Sequence, residues 1–207
     1  MWYLYVIVFL WVLVVLQSSV DVNYFLRMGF TYVKARYFKK RVHILSSTKI
    51  TGLCLTTDVD YLLSHMNNAR FLRELDFARA DFYQRTGLYG AIQGKGGAVV
   101  QGAATIRYRK FVRLCSFYSI VSKIIYWEGS SIYMEHRFVS PTDDFVLAIA
   151  ICRQRLLKVE SEDLIREIMS SEKSPESGGY AKPEMPLDLA KWIESNEISS
   201  ANLRNGC

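Results

Sequence analysis

The side chains that could do chemistry are concentrated in one stretch of the chain, residues 56–82. This stretch holds two carboxylates, a histidine and two asparagines just ahead of an amphipathic helix: Asp58, Asp60, His65, Asn67 and Asn68. A helix N-terminus leaves backbone N–H groups unpaired and carries about half a positive charge, so it can stabilise an oxyanion. A carboxylate beside it could attack a carbonyl carbon, or activate the water that attacks. The stretch therefore predicts acyl transfer, most simply hydrolysis.

The elements around this stretch follow one another in a clear order. A β-branched run over Ile50–Thr57 predicts a first strand. Asn67 or Asn68 is the predicted N-cap of a long helix that ends at Gly87. Its apolar residues recur at spacings of four, three and four: Phe71, Leu75, Ala78 and Phe82.

The second half of the chain reads mainly as strands. We interpret residues 87–97 as a glycine-rich loop, followed by four strand-like runs: Ala98–Tyr108, Phe117–Trp127, Ile132–Val139 and Phe145–Arg155. A short helix over residues 161–169, a polar linker over 171–186 and a helical tail over 187–203 complete the chain. The order predicts an α+β fold in which one long helix packs on an antiparallel sheet. The tail helix packs either on this domain or on a partner.

The segment Asp58-Val-Asp60, followed by His65-Met-Asn67-Asn68-Ala-Arg-Phe71, resembles the signature of the hotdog-fold acyl-CoA thioesterases. The similarity is closer to the thioesterase superfamily member six branch of the 4-hydroxybenzoyl-CoA thioesterase superfamily. Further matches to this branch are Arg137-Phe138-Val139-Ser140, Arg153-Gln154 and the tail residues Trp192-Ile193, Asn196-Glu197 and Ser199-Ser200. The resemblance spans about residues 20–200. It implies a sheet wrapped around the central helix, a homodimer with its site at the subunit junction, and an acyl-CoA substrate.

The resemblance also assigns roles within the motif. The thioester oxygen would meet backbone N–H groups near Asn68 and Ala69, and Asp60 or Asp58 would be the nucleophile or general base. His65 would orient the substrate or polarise its carbonyl, and Asn67 would be either a further donor or only the helix cap. Asp76 offers a second carboxylate on the helix, unless it pairs with Arg79. Asp58 and Asp60 have a structural alternative as well, in which they cap the turn and balance nearby arginines.

Two departures from the family pattern bear on these roles. Four residues separate Asp60 from His65 where the family usually has three, and Ser64 stands where a glycine is usual. Serine lacks glycine's free access to positive φ. Which of the two aspartates faces a substrate therefore stays open. The alternative function is a catalytically weak or inactive hotdog module that binds acyl lipid or a membrane partner; a hotdog hydratase is a weaker third possibility.

Composition and charge limit the classes of partner that the chain could bind. The 207 residues are 50% hydrophobic and carry a net charge of +6, and many of the bases cluster just after the apolar N-terminus. That clustering indicates an anionic membrane surface rather than a nucleic acid. The four cysteines form no C-x-x-C pair, so we expect no zinc or other metal and no disulfide framework, and the motifs imply no bound cofactor. We expect three of the thiols to be free and buried.

The first sixteen residues, Met1–Leu16, are unbroken apolar sequence. As a helix continued through Val20 they would span about 30 Å, the thickness of a bilayer core. The bases lie on the C-terminal side, so the positive-inside rule leaves the domain cytosolic, on an endoplasmic-reticulum membrane by our reading. The alternative is a signal peptide, cleaved before secretion. Residues 31–43 read either as an interfacial helix on anionic lipid or as a solvated connector.

Four units follow from these patterns. Residues 1–26 form the anchor or signal peptide, and residues 27–44 form a basic juxtamembrane segment. Residues 45–160 form the thioesterase-like domain and residues 161–207 the helical tail. Two basic stretches are candidates for coenzyme A phosphates: the Gly94–Gly97 loop, which is otherwise a flexible loop, and the run Arg107, Arg109, Lys110 and Arg113, which is otherwise a solvated strand end.

Overall fold

A computed structural model describes residues 1–19, 21–171 and 182–206. The helices are α1 (Trp2–Ser19), α2 (Val22–Val33), which continues as a π-helical turn over Lys34–Phe38, α3 (Asn68–Thr86), α4 (Leu88–Gly94), α5 (Ser161–Ser171) and α6 (Leu187–Arg204). The strands are β1 (Thr48–Leu53), β2 (Ala98–Tyr108), β3 (Phe117–Glu128), β4 (Ser131–Val139) and β5 (Val146–Leu157).

The five strands form one antiparallel sheet in the order β1-β3-β4-β5-β2. Strands β3, β4 and β5 follow one another along the chain and across the sheet, because short turns join them. In this register Met134 of β4 lies opposite Ile124 of β3 and Cys152 of β5. β1 and β2 are the two edge strands of the sheet. Along the chain, the long central helix α3 comes after β1 and before β2. The α+β prediction with one helix packed on an antiparallel sheet is confirmed.

Helix α3 supplies the core with the residues that its periodicity predicted. Phe71, Leu75, Ala78 and Phe82 are all buried. The first three belong to a cluster near the start of α3, with Tyr118 and Phe138 among its other members, whereas Phe82 belongs to a second cluster around Trp127 and Leu164. Gly87 ends the helix in the left-handed region with φ 74°, as its position predicted.

The tail helix α6 packs on the domain at Tyr133. Leu189 is fully buried, and the Trp192 ring meets the Tyr133 ring edge to face at 6.4 Å. Tyr133 alternates along β4 with the core residues Ile132 and Met134, so it stands on the face of the sheet away from α3. Most of the predicted linker over 171–186 lies outside the described residues.

Four predictions about local structure need correction. Residues 88–94 of the predicted glycine-rich loop form α4, because Leu88 and Ile92 stand one turn apart and are both buried. The first strand ends at Leu53, since residues 56–58 turn toward α3. Residues 39–43 are not helical. Cys115 is exposed rather than buried, while Cys54 and Cys152 are buried and free.

The N-terminal region holds two consecutive helices. No single helix among the described residues is both long and apolar enough to cross a membrane, whereas Trp2–Gln17 and Val22–Phe38 meet those criteria together, with a bend of 72° at their break.

Residues 21–39, which we call the strap, lie along α3 and are fixed to it by ion pairs. The Arg27 guanidinium donates two hydrogen bonds of 2.8 Å to the Glu74 carboxylate. The Lys39 ammonium lies 2.5 Å from Asp81, and Arg73 pairs with Asp21 at the start of α2. Glu74 therefore pairs with Arg27 across the two elements rather than with Arg70 one turn away in the same helix.

Candidate functional site

The loop that carries the motif folds as a small hairpin ahead of α3. Val59 pairs with Met66, the Asp60 N–H donates to the His65 carbonyl at 2.9 Å, and the Asn67 N–H donates to the Asp58 carbonyl at 2.8 Å. Positive φ falls on Leu63 (φ 53°) and not on Ser64. The extra residue between Asp60 and His65 is thus accommodated at the hairpin tip. Ser64 does not adopt a positive φ, so the absence of a glycine at this position causes no backbone strain there.

Asp60, Ser64 and His65 form a polar cluster at the base of this hairpin. The Ser64 N–H donates to Asp60 Oδ1 at 3.2 Å, the Ser64 hydroxyl lies 2.6 Å from His65 Nδ1, and Asp60 Oδ2 lies 3.7 Å from the same nitrogen. Partial burial acts to raise the pKa of Asp60, but hydrogen bonds from the Ser64 and His65 backbone and the nearby His65 outweigh it, so this pKa lies below its ordinary value. Asp60 is therefore an ionised carboxylate beside an imidazole.

One backbone N–H in the first turn of α3 has no hydrogen-bond partner among the described residues. Asn67 is the N-cap, and its side-chain oxygen accepts from the Ala69 N–H at 2.9 Å. The Arg70 N–H donates to the Asn67 carbonyl. The Asn68 N–H has no hydrogen-bond partner among the described residues. Of the two donors expected near Asn68 and Ala69, the Asn68 N–H is therefore the one available to a ligand, at the positive end of the helix dipole.

This helix start opens onto a cavity of about 470 Å³. Its walls include His65, Asn68, Phe71, Tyr108 and Phe111. The Tyr108 hydroxyl donates to the Asn68 carbonyl at 2.9 Å, and the His65 ring packs on Phe111 at 4.2 Å between centroids. Burial raises the pKa of Tyr108, so the hydroxyl stays protonated and remains a donor.

Two of the four bases in the predicted basic run, Arg109 and Lys110, also line this cavity. The Arg109 and Lys110 cations both lie over the Phe145 ring, at 4.8 and 5.2 Å from its centroid. Lys110 also lies 3.8 Å from the Asp143 carboxylate, where both side chains are exposed. An anionic group at the cavity mouth would therefore meet two accessible cations.

Asp58 has a different environment from Asp60. Its side chain is only 4% exposed, and Oδ2 accepts the Leu55 N–H at 3.0 Å. Oδ1 lies 3.9 Å from Arg70, whose guanidinium also donates to the Thr57 carbonyl. Asp58 thus closes the turn between β1 and the hairpin, which is the structural alternative given for it above.

Asp76 lies apart from the hairpin cluster. Eight residues of helix, about 12 Å, separate it from Asn68. Its carboxylate accepts the Tyr24 hydroxyl at 3.1 Å and pairs with Arg79, which also contacts Gln101 on β2. The intrahelical pair that the sequence offered as the plain alternative for Asp76 is present.

Several residues at the site were not predicted from the sequence. Tyr108 and Phe111 come from a segment forty residues away, and no local pattern places them beside Asn68. Ser64 was noticed only as a missing glycine, whereas its hydroxyl contacts His65. Only the exposed apolar character of Phe111 between two bases could have singled it out.

One further serine–histidine pair is buried inside the sheet. Ser122 Oγ lies 2.7 Å from His136 Nδ1, and both side chains are fully buried. Burial lowers the pKa of His136 to about 3, so its imidazole is neutral. With no access from solvent, this pair is part of the core, and His136 lies in a strand, as predicted. Among the described residues, no group of three or more His, Cys, Asp and Glu side chains is arranged to hold a metal ion.

Comparison with known proteins identifies the family. Residues 54–193 match the family model of the thioesterase-like superfamily. The chain is 40% identical over 193 residues to Protein THEM6 of Drosophila melanogaster, covering 93% of this chain and 96% of that protein. It is 36% identical over 187 residues to Protein THEM6 of Xenopus laevis, covering 90% and 86%.

Solved structures agree in fold. The probable thioesterase YbaW from Escherichia coli superposes with a TM-score of 0.54 at 21% identity, covering 58% of this chain and 95% of YbaW. Slr0204 from Synechocystis, a 1,4-dihydroxy-2-naphthoyl-CoA thioesterase, superposes with a TM-score of 0.53 at 12% identity, covering 63% and 100%. The central region of this chain therefore has the hotdog fold. The chain belongs to the thioesterase-like superfamily and, within it, to the THEM6 family.

Proposed function

We propose that this protein hydrolyses acyl-CoA thioesters in the cavity at the start of α3. The observation that supports this most directly is that one cavity is lined both by Asn68, whose N–H has no partner among the described residues, and by His65. A thioester carbonyl there would place its oxygen on the Asn68 N–H, which would stabilise the oxyanion that forms. Family membership supports the same reaction class, and Slr0204, which shares the fold, is a thioesterase for a CoA thioester.

Within this proposal, His65 is the general base and Asp60 acts through it. His65 lines the cavity, whereas Asp60 lies behind it, against Nδ1. His65 removes a proton from water as the water oxygen bonds to the thioester carbon. The tetrahedral intermediate then breaks its C–S bond, and the imidazolium returns the proton to the thiolate, giving a carboxylic acid and free CoA thiol. The ionised Asp60 stabilises the imidazolium while it exists. Arg109 and Lys110 would receive the CoA phosphates.

The membrane is the second part of the proposal. The 18 residues of α1 span about 27 Å as a helix, and Trp2–Gln17 together with Val22–Phe38 are long and apolar enough to cross a bilayer core. On the strap, Phe25, Leu26 and Phe30 are exposed although they are large and apolar. We propose that α1 enters the bilayer and that these side chains rest in its surface, with bases such as Arg36 and Lys40 near anionic head groups. The positive-inside rule puts the domain on the cytosolic side, and an endoplasmic-reticulum membrane is our proposal for the organelle.

A homodimer is the third part. β2 is an edge strand of eleven residues, and no charged residue occurs in it before Arg107. A long, uncharged edge is a template for pairing with a second strand. We propose that two β2 strands pair and extend the sheet across the dimer. Sedimentation equilibrium of the full chain in density-matched detergent would show twice the chain mass; a monomer at micromolar concentration would contradict this part.

The test of activity uses the full chain in neutral detergent and a panel of acyl-CoA esters of increasing chain length, with release of free thiol as the readout. We expect turnover that His65→Gln abolishes and Asp76→Asn leaves unchanged. Turnover that survives His65→Gln would contradict the mechanism. A folded dimer that turns over no thioester would favour the binding-module alternative. The mass of the mature protein from cells distinguishes a retained anchor from a cleaved signal peptide.

A further inference from the structure

A second groove lies away from the thioester cavity, between the strap and the β1 edge of the sheet. Its volume is about 430 Å³, and α3 forms its floor through Glu74, Phe77 and Asp81. One wall is the strap, with Phe30, Thr31 and Lys34, and the other is β1, from Lys49 to Leu53. None of the residues that line the cavity at the start of α3 lines this groove.

The charges in this groove do not balance. Two of its four cations are neutralised, Arg27 by Glu74 and Lys39 by Asp81. Lys34 and Lys49 have no acidic partner among the described residues, and both are exposed. The groove therefore presents two uncompensated positive charges, one from each wall.

Between these charges and the neighbouring cavity, part of the groove lining is apolar. Phe30, Ile50, Leu53, Leu55 and Phe77 contribute to it. The groove shares Arg27, Leu55 and Phe77 with an adjoining cavity of about 730 Å³, which extends to Gln17 and Ser19 at the end of α1. The two cavities together extend from the junction of α1 and α2 to Lys34 and Lys49.

We propose that this groove binds an anionic amphiphile with a single acyl chain, its chain along the apolar wall and its head group between Lys34 and Lys49. The volume lies in the lower half of the range for small-molecule sites, about 300–1,000 Å³, which suits one acyl chain better than the two of a bilayer phospholipid. Charge complementarity selects an anionic head. The inference goes beyond the proposed hydrolysis and requires no turnover at His65.

The experiment measures binding by native mass spectrometry of the full chain released from a neutral detergent. The probes are oleate, 1-oleoyl lysophosphatidate and the neutral 1-oleoylglycerol. We expect one bound oleate or lysophosphatidate per chain and much weaker binding of oleoylglycerol. Stronger binding of oleate than of lysophosphatidate would identify a fatty-acid carboxylate as the preferred head, and the reverse order a phosphate.

Matched variants assign the site. Lys34→Gln with Lys49→Gln should weaken oleate binding about tenfold, because each lost exposed ion pair contributes up to about a factor of five. The control, Arg36→Gln with Lys40→Gln, removes the same charge from the strap and the residue that follows it, outside the groove, and should bind as the unaltered chain does. Thr31→Trp should exclude both anionic probes by filling the groove. Melting curves establish that each variant is folded.

Equal loss in the groove and control variants, or oleoylglycerol binding as tightly as oleate, would overturn the proposal. Turnover and binding are separable in the same samples. His65→Gln should abolish hydrolysis and keep oleate binding, and the lysine variant should do the opposite. A chain that binds oleate but hydrolyses nothing would remove the proposed activity and leave this groove intact.

Discussion

The two aspartates of the hairpin should respond in opposite ways to the same change, Asp→Asn. Asp60 touches His65 and supports it electrostatically, whereas Asp58 holds the Leu55 N–H in a buried turn. The substitution keeps the side-chain shape and one acceptor oxygen at each position, but it removes the charge. We expect Asp60→Asn to lower activity with little change in stability, and Asp58→Asn to lower stability with little change in activity.

The magnitudes follow from these contacts. General base catalysis contributes about 10²–10⁴-fold, so Asp60→Asn should reduce kcat by a factor toward the lower end of that range, since His65 itself remains. At Asp58, a hydrogen bond to a charged acceptor becomes one to a neutral acceptor, a loss of about 1 kcal/mol. For a chain of this size that lowers Tm by about 2–4 °C.

The assay pairs thiol release from acyl-CoA with thermal unfolding by circular dichroism on the same detergent-solubilised samples. Asp76→Asn, on α3 and away from the cavity, is the matched control for activity. Loss of turnover in Asp58→Asn at an unchanged Tm would reverse the assignment of the two carboxylates. Full turnover in both variants would refute a role for the hairpin carboxylates altogether.

Three further predictions concern positions elsewhere in the fold. Gly52→Ala should destabilise the chain by about 1–3 kcal/mol, because its Cβ would stand 2.5 Å from the Tyr118 ring, whereas Gly90→Ala in open space should not; denaturant titration compares them. Tyr108→Phe removes the hydroxyl that donates to the first carbonyl of α3, so kcat should fall while KM changes little in steady-state kinetics. His136 is neutral when folded, with its pKa lowered to about 3, so its contribution to stability is complete above about pH 6.5 and declines as the pH falls toward 3; His136→Gln should flatten that decline in melting curves between pH 7 and 4.

The sequence predicted those features that depend on local pattern. The spacing of apolar residues located α3, and the run Ala98–Tyr108 matches β2 at both ends. The interpretation of residues 88–94 as a loop was wrong because glycines at positions 87, 90 and 94 mask a short helix whose two apolar residues reach the core. Tertiary burial there outweighs the low helix propensity of glycine.

The site could be predicted only in part, because some of its contacts depend on tertiary structure rather than on local sequence. The motif brought Asp60, His65 and Asn68 to the start of one helix, since they are close in sequence. It could not reveal that Asn67 occupies the Ala69 N–H and leaves the Asn68 N–H free, which is a matter of rotamer and cap geometry. Nor could it place Phe111 on His65, because that contact depends on how the end of β2 returns past the hairpin.

The strap shows most clearly how tertiary structure changes the meaning of a sequence pattern. The basic stretch beside an apolar helix predicted contact with an anionic membrane surface, with a solvated connector as the alternative for residues 31–43. Two of its bases instead meet carboxylates that are almost completely buried on α3: Arg27 with Glu74, and Lys39 with Asp81. The Tyr118 hydroxyl donates a further hydrogen bond of 2.7 Å to Glu74. A buried carboxylate without its partner is strongly destabilising, so the strap belongs to the folded domain rather than to a flexible tether.

Removing residues 1–40 should therefore destabilise the domain. The truncated chain loses both cations, and breaking a buried ion pair costs about 3–5 kcal/mol, less for Arg27 because 44% of its side chain is exposed. The truncated chain should therefore melt well below the full one. Glu74→Gln with Asp81→Asn should raise the Tm of the truncated chain, where Glu74 has lost Arg27 and Asp81 keeps only Arg85 at 3.6 Å. The same changes should lower the Tm of the full chain, where both strap cations are present. The same sign of effect in both backgrounds would mean that these carboxylates do not hold the strap.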